Sequence, residues 1–245
     1  MTSVRFLGSG DSFGSGGRMQ TCILVEADNG RFLLDCGASS LIAMRAQAIE
    51  PNDIDAILLT HFHGDHCAGV PFLLMDAMLG SKRKAPLVVA GPPGTPERMR
   101  SLQQALFPGS AGMQPRFPLQ FVEMEPGSTH DVRGWRVTPY PALHTPETVP
   151  TILRVEVDAK VVAYSGDGDW TDALAAAAED ADLFICECYF FDKRVKMHMN
   201  YATLRTHIGQ LRAKAVVLTH MSEEMLLHAH EVPERCATDG MVIRL

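Results

Sequence analysis

The stretch Thr60-His61-Phe62-His63-Gly64-Asp65-His66 places four potential metal ligands within six residues. It directly follows the short aliphatic run Ala56-Ile57-Leu58-Leu59, which predicts a buried strand, so the ligands begin where a strand ends. In an extended backbone His61 and His63, two residues apart, point to the same side. Gly64 permits a sharp change of direction, which would turn Asp65 and His66 toward a second point nearby.

The residue types of this stretch indicate a metal site. Imidazole nitrogens with a carboxylate suit zinc, and without a thiolate the same set also admits iron or manganese. The alternative interpretation is an exposed polar loop rich in histidine. The specific spacing, and further histidines and aspartates downstream, favour the metal site.

The composition is that of an ordinary globular protein. The chain has 245 residues, 46% of them hydrophobic and 21% charged, and we expect one domain over residues 1–245. The net charge of −7 argues against a surface devoted to nucleic-acid binding. The sequence shows no signal region and no run that approaches the ~20 apolar residues of a membrane span. Six cysteines without C-x-x-C spacing favour reduced thiols in a cytoplasmic protein.

Several short segments invite other interpretations. The glycine-rich loop Gly8–Gly17 departs from G-x-G-x-x-G at Phe13 and precedes no helical pattern, so it is not a nucleotide-binding loop. It is interpreted either as flexible backbone that lines a site or as a long turn. The segment Gly91–Pro96 lacks the Gly-Lys-Ser/Thr of a phosphate loop. The basic clusters Lys82–Lys84 and Lys193-Arg194 are interpreted as solvated turns.

Strand-like and helical patterns alternate along the whole chain. Because strands cluster in both halves with helices between them, we predict an α/β fold in which two sheets face each other with helices outside. Strands are predicted at 4–7, 21–26, 31–35, 56–59, 86–90, 119–122, 135–139, 151–157, 161–164, 183–189, 215–219 and 241–245. Helices are predicted at 39–49, 70–79, 97–107, 171–180 and 202–211.

Three further segments place a ligand type at the end of a predicted strand: His144, Asp167 and His220. A lone histidine after a strand is usually an ordinary surface or core residue. The sequence that ends at His220 has the same pattern as the one that ends at His61. In both, an aliphatic strand is followed by a threonine and then by the histidine (Val216–Thr219 precedes His220). This repetition favours a common site.

With these residues in order, the chain resembles the metallo-β-lactamase superfamily of binuclear hydrolases over nearly its whole length. The resemblance implies that superfamily's four-layer αββα sandwich of two mixed sheets with helices outside. It also implies two divalent metal ions, zinc first and manganese or iron as alternatives. One ion would bind His61, His63 and His144, the other would bind Asp65, His66 and His220, and Asp167 would bridge both. Asp35 would orient the metal-binding stretch from behind.

Within the superfamily, the chain resembles ribonuclease Z and its small phosphodiesterase relatives. Phe6–Gly10 is similar to the opening F-L-G-T-G of that branch, and residues 58–74 to its L-T-H-x-H-x-D-H-x-x-G-L-P segment. His198 falls where these enzymes place a histidine beside the metals. Only 22 residues separate His144 from Asp167, so the tRNA-gripping arm of many ribonuclease Z proteins is absent. The cysteine-based structural zinc site of the phosphoribosyl cyclic phosphodiesterases has no evident counterpart.

The resemblance implies a metal-dependent phosphodiesterase that acts on a small or cyclic phosphodiester, or on RNA, with a hydroxide shared by two ions as nucleophile. His198 would donate a proton to the departing alkoxide, and Asp65 would orient the nucleophile while serving as a ligand. One alternative is hydrolysis of a lactone, thioester or β-lactam on the same metals. Another is a non-catalytic nucleic-acid-binding relative. The substrate, the metal and the oligomeric state stay open, a homodimer included.

Overall fold

A computed structural model describes residues 1–110 and 112–245. Its strands, numbered along the chain, form two seven-stranded sheets. The first sheet contains β1 (Ser3–Gly8), β2 (Cys22–Ala27), β3 (Gly30–Leu34), β4 (Ala56–Leu58), β5 (Leu87–Gly91), β6 (Leu119–Glu123) and β14 (Val242–Arg244). The second contains β7 (His130–Val132), β8 (Trp135–Pro141), β9 (Thr151–Val157), β10 (Lys160–Tyr164), β11 (Leu183–Glu187), β12 (Val216–Thr219) and β13 (Arg235–Cys236).

Both sheets are mixed and follow the same plan. The first runs β14-β1-β2-β3-β4-β5-β6, antiparallel as far as β3 and parallel from β3 to β6. The second runs β13-β12-β11-β10-β9-β8-β7, parallel from β10 to β13 and antiparallel from β7 to β10. The carboxyl ends of the parallel strands in each sheet therefore share one edge.

The helices cover the outer faces of the two sheets. They are α1 (Ser40–Ala46), α2 (Gly64–Cys67), α3 (Gly69–Met75), α4 (Thr95–Leu106), α5 (Asp172–Ala178), α6 (Tyr201–His207) and α7 (Glu223–His228). A single π-type turn, Asp76–Gly80, continues α3. No helix within residues 1–110 or 112–245 combines the length and hydrophobicity of a membrane span.

Strand periodicity produces the four layers. In β3 the side chains of Phe32 and Leu34 enter the core between the sheets, whereas Leu33 joins the outer core beneath α1, α3 and α4. In β10 Val162 faces the inner core, and Ala163 faces the outer core beneath α5 and α6. Alternate residues point to opposite faces of a strand, so a strand covered on both faces is apolar throughout. The predicted four-layer αββα sandwich of two mixed sheets with helices outside is confirmed.

The structure also contains elements that the sequence patterns do not indicate. The strands β7 and β13 have three and two residues, too few to show a periodicity. Helix α2 begins inside the metal-binding stretch, and this helical turn redirects the chain after His63. The chain thus changes direction at Gly64, as expected, but the turn does not require a glycine, because Gly64 is a helical residue whose added Cβ would meet only Ala68 Cβ at 3.7 Å.

The basic cluster Lys82–Lys84 is only partly a solvated turn. Lys82 and Lys84 are exposed, but Arg83 is 2% exposed and its guanidinium donates to five backbone carbonyls. These carbonyls belong to Pro51, Asn52, Ile54, Ala85 and Pro86. The planar fork of an arginine reaches acceptors on several sides at once, which a lysine ammonium cannot do.

We therefore expect Arg83→Lys to lower the free energy of unfolding by about 2 kcal/mol, because buried carbonyls lose their donors. Urea denaturation followed by circular dichroism measures the change. Lys84→Arg is the matched control and should leave the midpoint unchanged. Equal midpoints for Arg83→Lys and the native chain would show that the carbonyls find other partners.

Candidate metal centre

The predicted ligands meet at the shared edge where the parallel strands end. His61 comes shortly after β4, Asp167 shortly after β10, and His220 directly after β12. His144 follows β8 and reaches the same point from the antiparallel part of the second sheet. Side chains from both sheets therefore converge on one place, as is typical of sites in folds with parallel strands.

The seven predicted ligands form two groups that share one member. The first ligand group is His61, His63, His144 and Asp167, and the second is Asp65, His66, Asp167 and His220. Within each group the candidate ligand atoms lie within 4.8 Å of one another. Asp167 belongs to both groups and is 3% exposed. The structure thus brings the predicted ligands together in two clusters, with Asp167 in both.

The separations inside the groups suit a metal ion. His63 Nδ1 lies 3.2 Å from His61 Nε2 and 3.0 Å from His144 Nε2. In the second group His220 Nε2 lies 3.4 Å from His66 Nε2 and 3.1 Å from Asp65 Oδ2. Ligands of a tetrahedral zinc ion, at about 2.0–2.1 Å from the metal, are about 3.3 Å apart. The ligand atoms are therefore spaced like the corners of a coordination shell.

In three of the ligand histidines the Nδ1 atom is hydrogen-bonded away from the site, which directs the other ring nitrogen, Nε2, toward the ligand group. His144 Nδ1 donates to the Met197 carbonyl at 2.7 Å, and His66 Nδ1 donates to Asp35 Oδ2 at 2.7 Å. His61 Nδ1 lies 2.9 Å from the hydroxyl of Thr60, which donates to Asp35 at 2.8 Å. A neutral imidazole that donates from its outer nitrogen presents an unprotonated inner nitrogen, the form that binds metals. Asp35 thus contacts Thr60 and His66 from behind the ligand groups, where it would orient the metal-binding stretch.

One observation tests whether a divalent ion fits here. Asp167 Oδ1 is buried and accepts no well-aligned hydrogen bond from any described residue, although His66 Nε2 lies 3.2 Å away. A buried carboxylate oxygen that lacks a donor, beside imidazole lone pairs, fits a cation.

The two groups differ in their electrostatics. Burial and the neighbouring imidazoles lower the pKa of His61 and His63, which keeps these rings neutral. Burial also opposes a charge on His220, but Asp167 and Asp65 outweigh it and raise the pKa of His220 to about 10. Despite burial, nearby imidazoles hold the pKa of Asp65 and Asp167 well below the usual range. Both carboxylates are therefore ionised at neutral pH and available to a cation.

His198 lies beside the two ligand groups and is held by a residue that the sequence patterns do not single out. Its Nδ1 lies 2.5 Å from Glu187 Oε1, and its ring centroid is 4.9 Å from that of His144. Glu187 is 1% exposed and also accepts from the backbone N–H groups of Gly168 and Met199. Burial opposes the charged ring, but the hydrogen bond and charge of Glu187 raise the pKa of His198. The one feature of the sequence that could have indicated Glu187 is that it is an acidic residue at the end of an apolar strand.

A cavity of about 210 Å³ opens onto the ligand groups. Its walls come from the glycine-rich loop, the metal-binding stretch and the segment around His198. The lining residues are Ser12, Phe13, His63, Gly64, Asp65, Asp167, Tyr189, His198 and His220. The glycine-rich loop therefore lines a site, one of the two interpretations that the sequence left open. His130, His207, His228 and His230 belong to neither ligand group.

The sandwich fold and the clustered histidines and aspartates define this chain as a metal-dependent hydrolase of the metallo-β-lactamase fold. The family model described as Anti-Pycsar protein Apyc1 matches residues 2–236. The chain belongs to this family.

Comparison with known proteins agrees with this assignment. Ribonuclease Z from Mycobacterium bovis (strain BCG / Pasteur 1173P2) is 30% identical over 195 residues, which cover 76% of this chain and 69% of the relative. The metallo-β-lactamase fold protein YhfI from Bacillus subtilis superposes with a TM-score of 0.81 at 19% identity, covering 100% of both chains. Human tRNase Z, short form, gives 0.80 at 22% identity, covering 99% of this chain and 98% of the other. The predicted superfamily and its ribonuclease Z-like branch are confirmed.

Proposed function

We propose that this chain is a binuclear phosphodiesterase that hydrolyses small or cyclic phosphodiesters. The observation that carries the proposal is the pair of ligand groups that share Asp167, with His198 beside them in the same cavity. Two divalent ions bound there would ionise water near neutral pH and neutralise charge on the phosphate oxygens. We propose zinc as the resident metal, with manganese or iron as alternatives, because the ligands are imidazoles and carboxylates.

The protein side chains around the ions would position the reactants and move protons. Asp65 is 6% exposed and lines the cavity, where its carboxylate can orient an attacking water molecule while it contributes to the second ligand group. His198 also lines the cavity, and Glu187 fixes its ring through Nδ1. The Nε2 atom of a charged His198 is then free to donate a proton to the departing alkoxide.

RNA is the second candidate substrate, because curated relatives carry the name ribonuclease Z. The segment from His144 to Asp167 bears on this choice. It holds one short 3₁₀ turn, Pro146–Thr148, followed by β9 and β10 of the second sheet. Residues 145–166 are thus largely incorporated in the fold, and they form no protruding arm that could grip a tRNA. This observation favours the smaller substrate.

A turnover screen of zinc-loaded protein tests the proposal. It compares bis(4-nitrophenyl) phosphate, a panel of cyclic nucleotides, a tRNA precursor, a lactone and a β-lactam. We expect hydrolysis of the phosphodiesters and at most slow turnover of the two carbonyl substrates, although the metals alone could polarise either class. Strong lactone turnover with inert phosphodiesters would refute the proposal. Binding of the tRNA precursor without cleavage, and without turnover of any other substrate, would support a non-catalytic relative instead.

A further inference from the structure

The short segment between β13 and β14 crosses from the second sheet to the first. Ala237 N–H donates to the Leu218 carbonyl in β12 at 2.7 Å, and Gly240 N–H donates to the Phe6 carbonyl in β1, also at 2.7 Å. Asp239 lies between these two contacts along the chain. Its backbone is therefore held on both sides, one contact to each sheet.

The carboxylate of Asp239 holds both ends of the glycine-rich loop. Its Oδ1 accepts from the N–H and the hydroxyl of Ser9 at 2.9 and 2.8 Å, and its Oδ2 accepts from the Met19 N–H at 2.8 Å. Asp239 is itself an exposed residue, but Ser9 is 0% exposed. Removal of the carboxylate would leave the buried donors of Ser9 without an acceptor, which is costly.

Ser9 in turn contacts the backbone of a predicted metal ligand. Its carbonyl accepts from the His220 N–H at 3.1 Å and from the Thr219 hydroxyl at 3.2 Å. His220 has a φ of 56°, a conformation that a residue other than glycine keeps only when its surroundings hold it. Hydrogen bonds thus lead without interruption from the Asp239 carboxylate through Ser9 to the backbone of His220.

The ring of His220 depends on its backbone more than the rings of other ligand histidines do. Its Nδ1 is buried and has no hydrogen-bond partner among the residues that the structure describes, and Glu187 Oε1 lies 3.6 Å from it. By contrast, the Nδ1 atoms of His61, His66 and His144 are hydrogen-bonded. The direction of the His220 ring is therefore set largely by the backbone that Ser9 contacts.

We propose that Asp239 is a positioning residue for the second ligand group. It holds Ser9, and the Ser9 carbonyl holds the backbone of His220, so that His220 Nε2 stays 3.1 Å from Asp65 Oδ2. Asp239 belongs to neither ligand group and acts only through these hydrogen bonds. The inference rests on the proposed binuclear site and deepens it, because it assigns to one of the two ions a residue that touches no ligand atom.

Calorimetric titration of the metal-free chain with zinc tests the proposal. The native chain should bind two zinc ions. Asp239→Ala should weaken the binding of one ion about 10- to 100-fold, as is typical when a residue that orients a metal ligand is lost, and leave the other ion unchanged. Asp239→Asn should bind both ions nearly as the native chain does, because its amide oxygen can still accept from Ser9. Thr238→Ala, which truncates the exposed neighbouring side chain, is the matched control.

Two further measurements separate positioning from a general effect on the fold. In a His220→Ala background, Asp239→Ala should cause no further loss of zinc affinity, since two residues that act through one contact are not additive. The rise in melting temperature that zinc produces should also be smaller in Asp239→Ala than in the native chain. A general loss of stability would lower the melting temperatures of the metal-free and zinc-loaded protein equally.

Native binding of both ions by Asp239→Ala would overturn the proposal, as would an equal loss of affinity in the His220→Ala background or equally weak binding by Asp239→Asn. If Asp239→Ala does not fold, Ser9→Ala removes only the hydroxyl donor and should weaken the same ion about fivefold. Unchanged binding in that variant would also overturn the proposal. A native chain that binds fewer than two zinc ions would instead refute the binuclear site, so the two proposals can fail separately.

Discussion

Asp167→Asn should lower the turnover of bis(4-nitrophenyl) phosphate about a thousandfold. Asp167 is the one residue shared by both ligand groups, and its two oxygens lie 3.2 Å from His66 Nε2 and 3.6 Å from His220 Nε2. Asparagine keeps the shape but removes the negative charge that would balance two cations. Stabilisation of charge by bound metals contributes several kcal/mol to catalysis, and about 1.4 kcal/mol corresponds to a tenfold change in rate.

The measurement combines kcat with the metal content of the purified protein, determined by plasma emission spectroscopy. Metal per chain should fall together with kcat, whereas the circular dichroism spectrum should stay unchanged. Asp172→Asn, an exposed aspartate five residues along the chain, is the matched control and should keep both values. An Asp167→Asn protein with full metal content and native turnover would show that this carboxylate does not join two ions.

His198→Ala should slow the hydrolysis of phosphodiesters that have a poor leaving group by about a hundredfold or more. A general acid contributes about 10²–10⁴-fold when an alkoxide must leave. Its contribution is small for 4-nitrophenolate, which departs without a proton. The variant should therefore lose most of its activity on a cyclic nucleotide and little on bis(4-nitrophenyl) phosphate.

The ratio of kcat values for these two substrates is the measured quantity. A structural role for His198 would lower both rates together, so the ratio separates proton donation from damage to the site. His230→Ala removes a histidine that is 78% exposed and outside both ligand groups, and it should leave the ratio unchanged. Equal losses on both substrates would contradict the assignment of His198 as the acid.

Much of the fold and the ligand set could be predicted from the sequence, because both depend on local patterns. Short aliphatic runs such as Ala56–Leu59 favour a strand covered on both faces over a helix, because they are short and bounded by charged and turn-forming residues. The carboxyl ends of parallel strands lie at one edge, so a ligand type after each such strand predicts a shared site. The sequence Asp28-Asn29-Gly30, of a type that favours tight turns between strands, lies at the turn from β2 to β3.

Other features depend on contacts between distant segments and could not be predicted in this way. The carbonyl of Met197 orients His144, and every residue type carries such a carbonyl. The contact that Glu187 makes with the site can be recognised only in the folded chain, where the loop that carries His198 brings this ring against its carboxylate. The buried position of Arg83 arises from five carbonyls in two segments, residues 51–54 and 85–86, although its neighbours in sequence are exposed lysines. The homodimer expected as one possibility stays a prediction.

The two ligand groups draw on both sheets, since residues 61–66 extend from the first sheet and His144, Asp167 and His220 from the second. Bound ions would thus act as a crosslink between the two sheets, which also pack together through the inner core. A ligand that binds only the folded state stabilises it by mass action. Chelation of the ions should therefore lower the melting temperature of the protein and also abolish its hydrolytic activity. The supply of metal would then influence how long the protein stays folded as well as how fast it turns over substrate.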